Sequence, residues 1–359
     1  MAVILAVGLV AMACGSDEPG SSAGDEAGAG DEAGREVTLV THDSFAVSDG
    51  LFDDFTEDTG IEVRLLASGD AGSALNQAIL TKGNPQGDVF FGVDNTFLTR
   101  AFDEELFVPY ESPALSEVDE QFVLDDEHRV TPIDYGDVCL NYDRSFFADG
   151  GEGADLDVPA TLEDLARPAY RDLLVVQNPA TSSPGLAFLL ATVSQFGEQG
   201  WRDFWDRLRD NGVAVSDGWE DAYYGQFSGS SSGTGERPLV VSYASSPPAE
   251  VAFASEPIDE SPTGVIDASC FRQVEFAGVL AGTDRADEAG ELIDFMLSSA
   301  FQQDMPLNMF VFPVRTDAAL PEVFVEHAAT PEDPFEIAPQ DIGANRDRWI
   351  GEWTDTVLR

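Results

Sequence analysis

Between residues 37 and 92 short apolar runs alternate with amphipathic stretches, and this alternation restricts the possible folds more than any other feature of the chain. Residues 37–41 (VTLVT), 61–66 (IEVRLL) and 88–92 (DVFFG) have the β-branched and aromatic character of strands. Residues 50–59 carry Leu51, Phe52 and Phe55 on one helical face and end at Gly60, and residues 73–81 read as a second helix. A β-α-β-α-β order predicts parallel strands joined by helical crossovers, and hence a doubly wound α/β sheet. The alternation continues around residues 141–147, 161–166, 173–177 and 184–196, where Gly197 closes the segment, and returns at 239–242 and 274–296. Residues 228–235 (SGSSSGTG) read as an exposed loop. Trp201 and Trp205, like Trp349 and Trp353, are four residues apart, the spacing of a buried helical face.

Single cores stop growing near 250–300 residues, so a chain of 359 is expected to form two lobes. Its 18 Lys and Arg against 67 Asp and Glu give a net charge of −49, which repels phosphate backbones and excludes nucleic-acid binding.

Residues 2–13 are apolar and shorter than the roughly 20 residues that cross a bilayer, but they have the length of a signal-peptide core. They end at Cys14, followed by Gly15 and Ser16, which resembles the lipobox of a bacterial lipoprotein and implies a lipidated cysteine and a membrane anchor. An ordinary signal peptide is the alternative, since no Lys or Arg precedes the run and Ala11 departs from the usual Leu. Residues 15–36 hold almost nothing that could be buried and are expected to form a disordered acidic Gly/Ser linker. With Cys14 set apart, Cys139 and Cys270 remain as an even pair in an exported chain, either bridged or buried as separate thiols.

The chain has no Walker A, HExxH or CxxC motif, no GxGxxG after a strand and no GxSxG nucleophile elbow, since its GxSxG matches at 20–24 and 229–233 lie in Gly/Ser-rich stretches and not between a strand and a helix. Nothing specific therefore supports an enzyme, a metal site or a cofactor. Polar and aromatic residues instead gather at predicted strand ends, where open α/β sheets bind ligands. His42 and Ser44 follow the first strand, Asp70 the second, and Asp94 and Asn95 the third. Tyr135, Ser182, Ser183, Trp219, Tyr223 and Tyr243 occupy comparable positions further on. Ser182 and Ser183 precede a helix, where free N–H groups and the dipole predict an anion or phosphate site.

The segments HDSF (42–45), DVFFGVDN (88–95), DYG (134–136), NPATSSPGLAFLL (178–190), GWEDAYY (218–224), VVSYASSP (240–247), MPLNMFVFPV (305–314) and RWIGEW (348–353) resemble, in this order, the thiamine-binding substrate proteins of ABC importers. The resemblance runs from about Val37 to Trp353. It implies the two-lobed type II periplasmic-binding-protein fold, each lobe a mostly parallel sheet flanked by helices, with two crossover strands as the hinge. Residues 37–136 would form the first part of lobe 1 and 137–269 lobe 2, with 270–359 returning to lobe 1 and adding C-terminal helices. The implied ligand is thiamine, thiamine monophosphate or thiamine diphosphate. It would be carried by a monomer to a membrane permease with a cytoplasmic ATPase.

Position by position, the resemblance implies that Asp70 lies near the vitamin, that Ser182 faces phosphate, and that Trp219, Tyr223 and Tyr243 form walls. His42 stands where some relatives have Tyr, and Phe310 where some have a stacking Trp. Around Asp49 and Ala249 some members carry aromatic residues that are absent here. The residue types suit the vitamin, because a thiazolium cation calls for rings and a carboxylate, and a hydroxyl or phosphate arm for an anion-friendly end. The rival ligand on the same fold is ferric iron, for which Tyr223, Tyr224 and His42 would be the donors.

Overall fold

The computed structural model describes residues 35–359. Cys14 and residues 15–34 of the expected linker lie outside the described residues. Arg35 and Glu36, expected in that linker, already belong to the first strand.

In chain order the elements that build the site are β1 (Arg35–Thr41), α1 (Leu51–Thr59), β2 (Ile61–Ala67), α2 (Ala71–Leu80), β3 (Val89–Asp94), α3 (Leu98–Asp103), β4 (Thr131–Asp143), β5 (Leu174–Gln177), α4 (Ser183–Asp210), β6 (Ala214–Ser216), β7 (Leu239–Tyr243), α5 (Ser246–Ala252), β8 (Thr263–Leu280), α6 (Ala286–Met296), α7 (Ser299–Asn308) and α8 (Pro339–Val357). The strands follow the order β2-β1-β3-β8-β4-β7-β5-β6. β1 pairs in parallel with β2 and β3, and β5 in parallel with β6 and β7. Each side of the sheet is thus parallel, as the alternation predicts.

The centre is different. β4 and β8 run antiparallel to each other from Thr131↔Ala277 to Asp143↔Thr263, with register breaks near Pro132 and Val138. At one end β8 pairs with β3, and at the other β4 pairs with β7. These two long strands connect the two halves, which matches the two crossover strands that the family resemblance implies. Cys139 on β4 and Cys270 on β8 are joined by a disulfide, so the alternative of two separate thiols does not hold.

β1 and β3 are buried along most of their length because helices cover both faces of a parallel sheet, and their runs are accordingly apolar without alternation. In α4 the backbone breaks at Gly197, whose φ of 66° lies in the left-handed region, so the stretch that begins at Ser183 stops there and a second helical stretch continues to Asp210. Trp205 meets Trp353 edge to face with ring centroids 5.5 Å apart, which seats α8 on α4. All four tryptophans placed in the core by their spacing are buried. The SGSSSGTG segment departs from expectation, since Gly229 and Ser230 are buried and a Cβ at 229 would collide with the Phe227 ring.

Candidate functional site

A cavity of about 350 Å³ opens between the two halves, at the ends of β1, β2 and β7 and the starts of α2, α4 and α5. This is within the ordinary size range of small-molecule sites. Of the residues singled out from sequence, His42, Ser44, Asp70, Ser183, Trp219, Tyr223, Tyr243 and Phe310 line it.

Asp70 occupies the N-cap position of α2, but its side chain makes no capping bond there and reaches across to the other half. Its Oδ1 accepts from the Ser183 N–H at 3.3 Å and its Oδ2 from the Trp219 N–H at 2.9 Å. The Ser73 N–H donates to the Thr181 carbonyl at 3.1 Å beside it, so the two halves are hydrogen-bonded to each other at the rim. Burial pushes the Asp70 carboxyl up to about 6, against the pull of the two N–H donors and with a further push from the charge of Asp43.

The aromatic wall comes from the second half. Trp219 stacks on Tyr223 with centroids 5.0 Å apart and an interplanar angle of 17°. Its indole N–H donates to Ser242 Oγ at 2.9 Å, and the Tyr223 hydroxyl donates to Glu250 Oε1 at 2.9 Å. These bonds fix both ring planes; Tyr223 is buried behind Trp219, whose half-buried ring is the one of the pair that can offer π surface to a flat or cationic ligand. At the mouth, Phe310 meets Phe253 edge to face at 5.4 Å. Phe310 adopts φ 53°, a conformation costly for a bulky residue, and it aims the ring at the other half.

The floor is acidic. His42 is buried, with its ring 5.5 Å from Phe91 and its Nε2 without a hydrogen-bond partner, 3.8 Å from Glu275 Oε2. Burial lowers the imidazole to about 4, so it is neutral at pH 7. A Cβ at Gly92, whose φ is 103°, would sit 2.6 Å from His42 Cδ2, so glycine there makes room for the ring. Behind Glu275, burial pushes Asp134 up to about 8. Burial, followed by the charges of Asp134, Asp94 and Asp70, holds Glu275 well above the usual carboxylate range.

Four expected site residues do not line the cavity. Asp94 is fully buried and spends its carboxylate on Thr96, the Phe97 N–H and the Ser183 hydroxyl. Asn95 exchanges hydrogen bonds with the β8 backbone at Arg272 and Val274. Tyr135 is stacked between Phe122 at 4.4 Å and Phe312 at 5.3 Å. Ser182 holds the N-cap position of α4, fully buried, but its hydroxyl makes no capping bond and lies beside Asp70 without completing one. The anion site expected at this helix start is filled from within, because Asp70 takes the Ser183 N–H and Asp94 the Ser183 hydroxyl.

The strand-end argument missed Glu220, Phe253, Glu275 and Met309, all of which line the cavity, as do Asp43 and Phe45 beside His42 and the iron-donor candidate Tyr224. Glu275 had a usable signal, a carboxylate placed with Gln273 directly before the apolar run 276–280, which asks for a reason to be buried.

The profile of the bacterial extracellular solute-binding proteins matches residues 84–342. The chain is 31% identical over 327 residues to the thiamine-binding periplasmic protein of Salmonella typhimurium, covering 90% of this chain and 94% of that one. Among solved structures it is similar to a periplasmic thiamin binding protein, with a TM-score of 0.78 and 28% identity over 90% of this chain and 96% of the other. Iron-bound HitA from Pseudomonas aeruginosa shares the fold, with a TM-score of 0.71 at 18% identity over 90% of this chain and 99% of its own. The cleft between two sheet halves and the match over most of the chain agree, and the protein belongs to the family of bacterial extracellular solute-binding proteins.

Proposed function

We propose that this protein is the extracytoplasmic receptor of an ABC importer, that it captures thiamine or one of its phosphate esters between two lobes, and that it hands the ligand to the membrane permease without altering it. The observation that carries this reading is one cavity in which the stacked Trp219–Tyr223 pair, Tyr243 and Phe310 face the carboxylates of Asp70 and Glu275. Rings with carboxylates suit a flat aromatic cation, whose approach to a desolvated ring gains roughly 0.5–2 kcal/mol. The names of the similar proteins point the same way.

The lobes are residues 37–136 with 270–359, and residues 137–269, and β4 and β8 act as the hinge on which the cleft opens and closes. The receptor works as a monomer held at the membrane by a lipid on Cys14. A Cys14→Ser variant that still partitions into detergent with the membrane fraction would remove the anchor from this account.

Iron fits the site less well. Burial raises the Tyr223 hydroxyl well above its ordinary range, and Glu250 holds its proton, whereas ferric iron requires the phenolate. A thermal-shift screen with thiamine, its phosphates and ferric citrate tests the choice. Thiamine at about 100 times its Kd should add roughly 2.7 kcal/mol of stability. A shift and a visible colour with ferric citrate, and none with thiamine, would overturn the proposal.

A further inference from the structure

We propose that the Glu275 carboxyl and the buried His42 Nε2 form a hydrogen-bonding floor that recognises an aminopyrimidine by its edge, a ring nitrogen beside an exocyclic amine, and so decide which flat rings the cleft retains. The inference rests on the thiamine reading above and deepens it, by naming the part of the vitamin that this end of the cavity reads.

His42 follows β1 and Glu275 lies on β8, and both line the cavity although they are only 8% and 5% exposed. Glu275 Oε2 stands 3.8 Å from His42 Nε2, beyond hydrogen-bond distance, and Nε2 has no partner within the protein. A buried polar atom left in this state is costly and calls for a partner from outside the chain. The other side of the carboxyl is anchored. Its Oε1 accepts from Gln273 Nε2 at 3.2 Å, and Gln273 Oε1 in turn accepts from the Tyr243 hydroxyl at 3.4 Å. The histidine ring is set against Phe91, so neither group has to be ordered when the ligand arrives.

The surroundings of Glu275 suit an uncharged edge. Asp134 lies directly opposite it in the β4–β8 register, and both Asp134 oxygens are buried without a partner. No Lys or Arg is among the described residues that line the cavity. Two buried carboxyls side by side with no cation between them do not both ionise, and burial raises both. Glu275 therefore meets the ligand as a neutral acid, whose O–H donates and whose carbonyl accepts. His42 is neutral as well, so its Nε2 can accept an N–H. An aminopyrimidine supplies the matching set, since its ring nitrogen takes the hydrogen bond from the acid and its amine donates to Nε2 or to the acid carbonyl. Asp70, held by two N–H groups on the other wall, is left to the cation.

Calorimetric titration of the full chain at pH 7.5 with thiamine, and with the analogue in which a benzyl group replaces the aminopyrimidinylmethyl group, tests the inference. The analogue keeps the thiazolium, the hydroxyethyl arm and a flat ring but has no nitrogen on that ring. Wild-type protein should bind thiamine at least about tenfold more tightly, because the analogue leaves both floor groups buried without partners. Glu275→Leu and His42→Phe should each reduce this ratio by about threefold or more, whereas Glu275→Gln, whose amide also donates and accepts, should retain most of it. Near-ultraviolet circular dichroism confirms folding of the variants, and the wild-type comparison requires none of them. A wild-type ratio below about tenfold overturns the edge recognition and leaves the thiamine receptor intact. An unchanged ratio in either Glu275→Leu or His42→Phe overturns the paired floor, and a loss in Glu275→Gln as large as in Glu275→Leu overturns the neutral-acid role. Absence of thiamine binding by folded wild-type protein overturns the receptor reading itself, which separates the two failures.

Discussion

Thiamine affinity should fall steeply as the pH drops through 6, and Asp70 should be the cause. In the ligand-free cleft burial pushes this carboxyl from 3.8 to about 6, so it is mostly ionised at pH 7.5 and mostly protonated at pH 5. A cation within a few ångströms favours the ionised form and typically lowers such a pKa by 1–3 units, which would return the bound-state value to about 4. The sign follows: the ionised carboxylate binds the cation better, so affinity is flat above pH 6 and declines below it. The decline is up to about tenfold, or 1.36 kcal/mol, per pH unit, reaches about 50-fold at pH 4 and levels off near 100-fold below it.

The groups that face Asp70 do not reproduce this profile. His42 stays neutral down to about 4, and burial with nearby charge keeps Glu275 well above the usual carboxylate range. Glu220 is raised by burial and then by the charge of Asp43, and the Asp70→Asn variant separates its contribution. That variant should bind about 1–3 kcal/mol more weakly at pH 7.5, because an amide can accept only one of the two N–H groups and carries no charge. Its pH profile should lose the decline between pH 6 and 4 that Asp70 causes. Calorimetry from pH 4.5 to 8 in buffers of different ionisation enthalpy measures both affinity and protons released, and wild-type protein should release protons on binding near pH 5–6. A wild-type affinity constant from pH 7.5 to 5, or a slope that survives in Asp70→Asn, would refute the reasoning.

Two further outcomes follow from the geometry. Gly92→Ala places a Cβ against His42 at a positive φ, so it should cost about 1–3 kcal/mol of stability and weaken thiamine binding as the ring is displaced; denaturant titration and calorimetry on the same sample check both, and unchanged values would mean that the ring has room to move. Reduction of Cys139–Cys270, or Cys139→Ser/Cys270→Ser, opens a loop with a sequence separation of 131 and should lower stability by about 2–5 kcal/mol; an unchanged denaturation midpoint with reductant would speak against it.

The parallel halves of the sheet could be read in the sequence because their strands are short, apolar and bracketed by helices. The central strands could not. Residues 141–147 read as a strand running into a helix and the second long segment as beginning at Val274, whereas β4 starts at Thr131 and β8 at Thr263. Asp134, Asp137, Asn141, Gln273 and Glu275 interrupt their apolar runs, and each is buried in a central strand. The same limit governs the site. Strand-end chemistry named Asp70, Trp219 and Tyr243, which line the cavity, but the residue types that bind ligands also cap turns and bridge segments. Asp94 is held to Ser183 across 89 residues, and Asn95 to Arg272 across 177, and local pattern carries no signal for pairings at such separations.

The central claim is that thiamine sits in this cleft against Trp219. Equilibrium dialysis of labelled thiamine against wild-type protein and Trp219→Ala, with near-ultraviolet circular dichroism to confirm folding, tests it most directly. The account predicts one vitamin per wild-type chain, and an affinity lower by about 1–2 kcal/mol in the variant, from loss of the ring face. No retention of thiamine by the folded wild type, or equal retention by the variant, would contradict it.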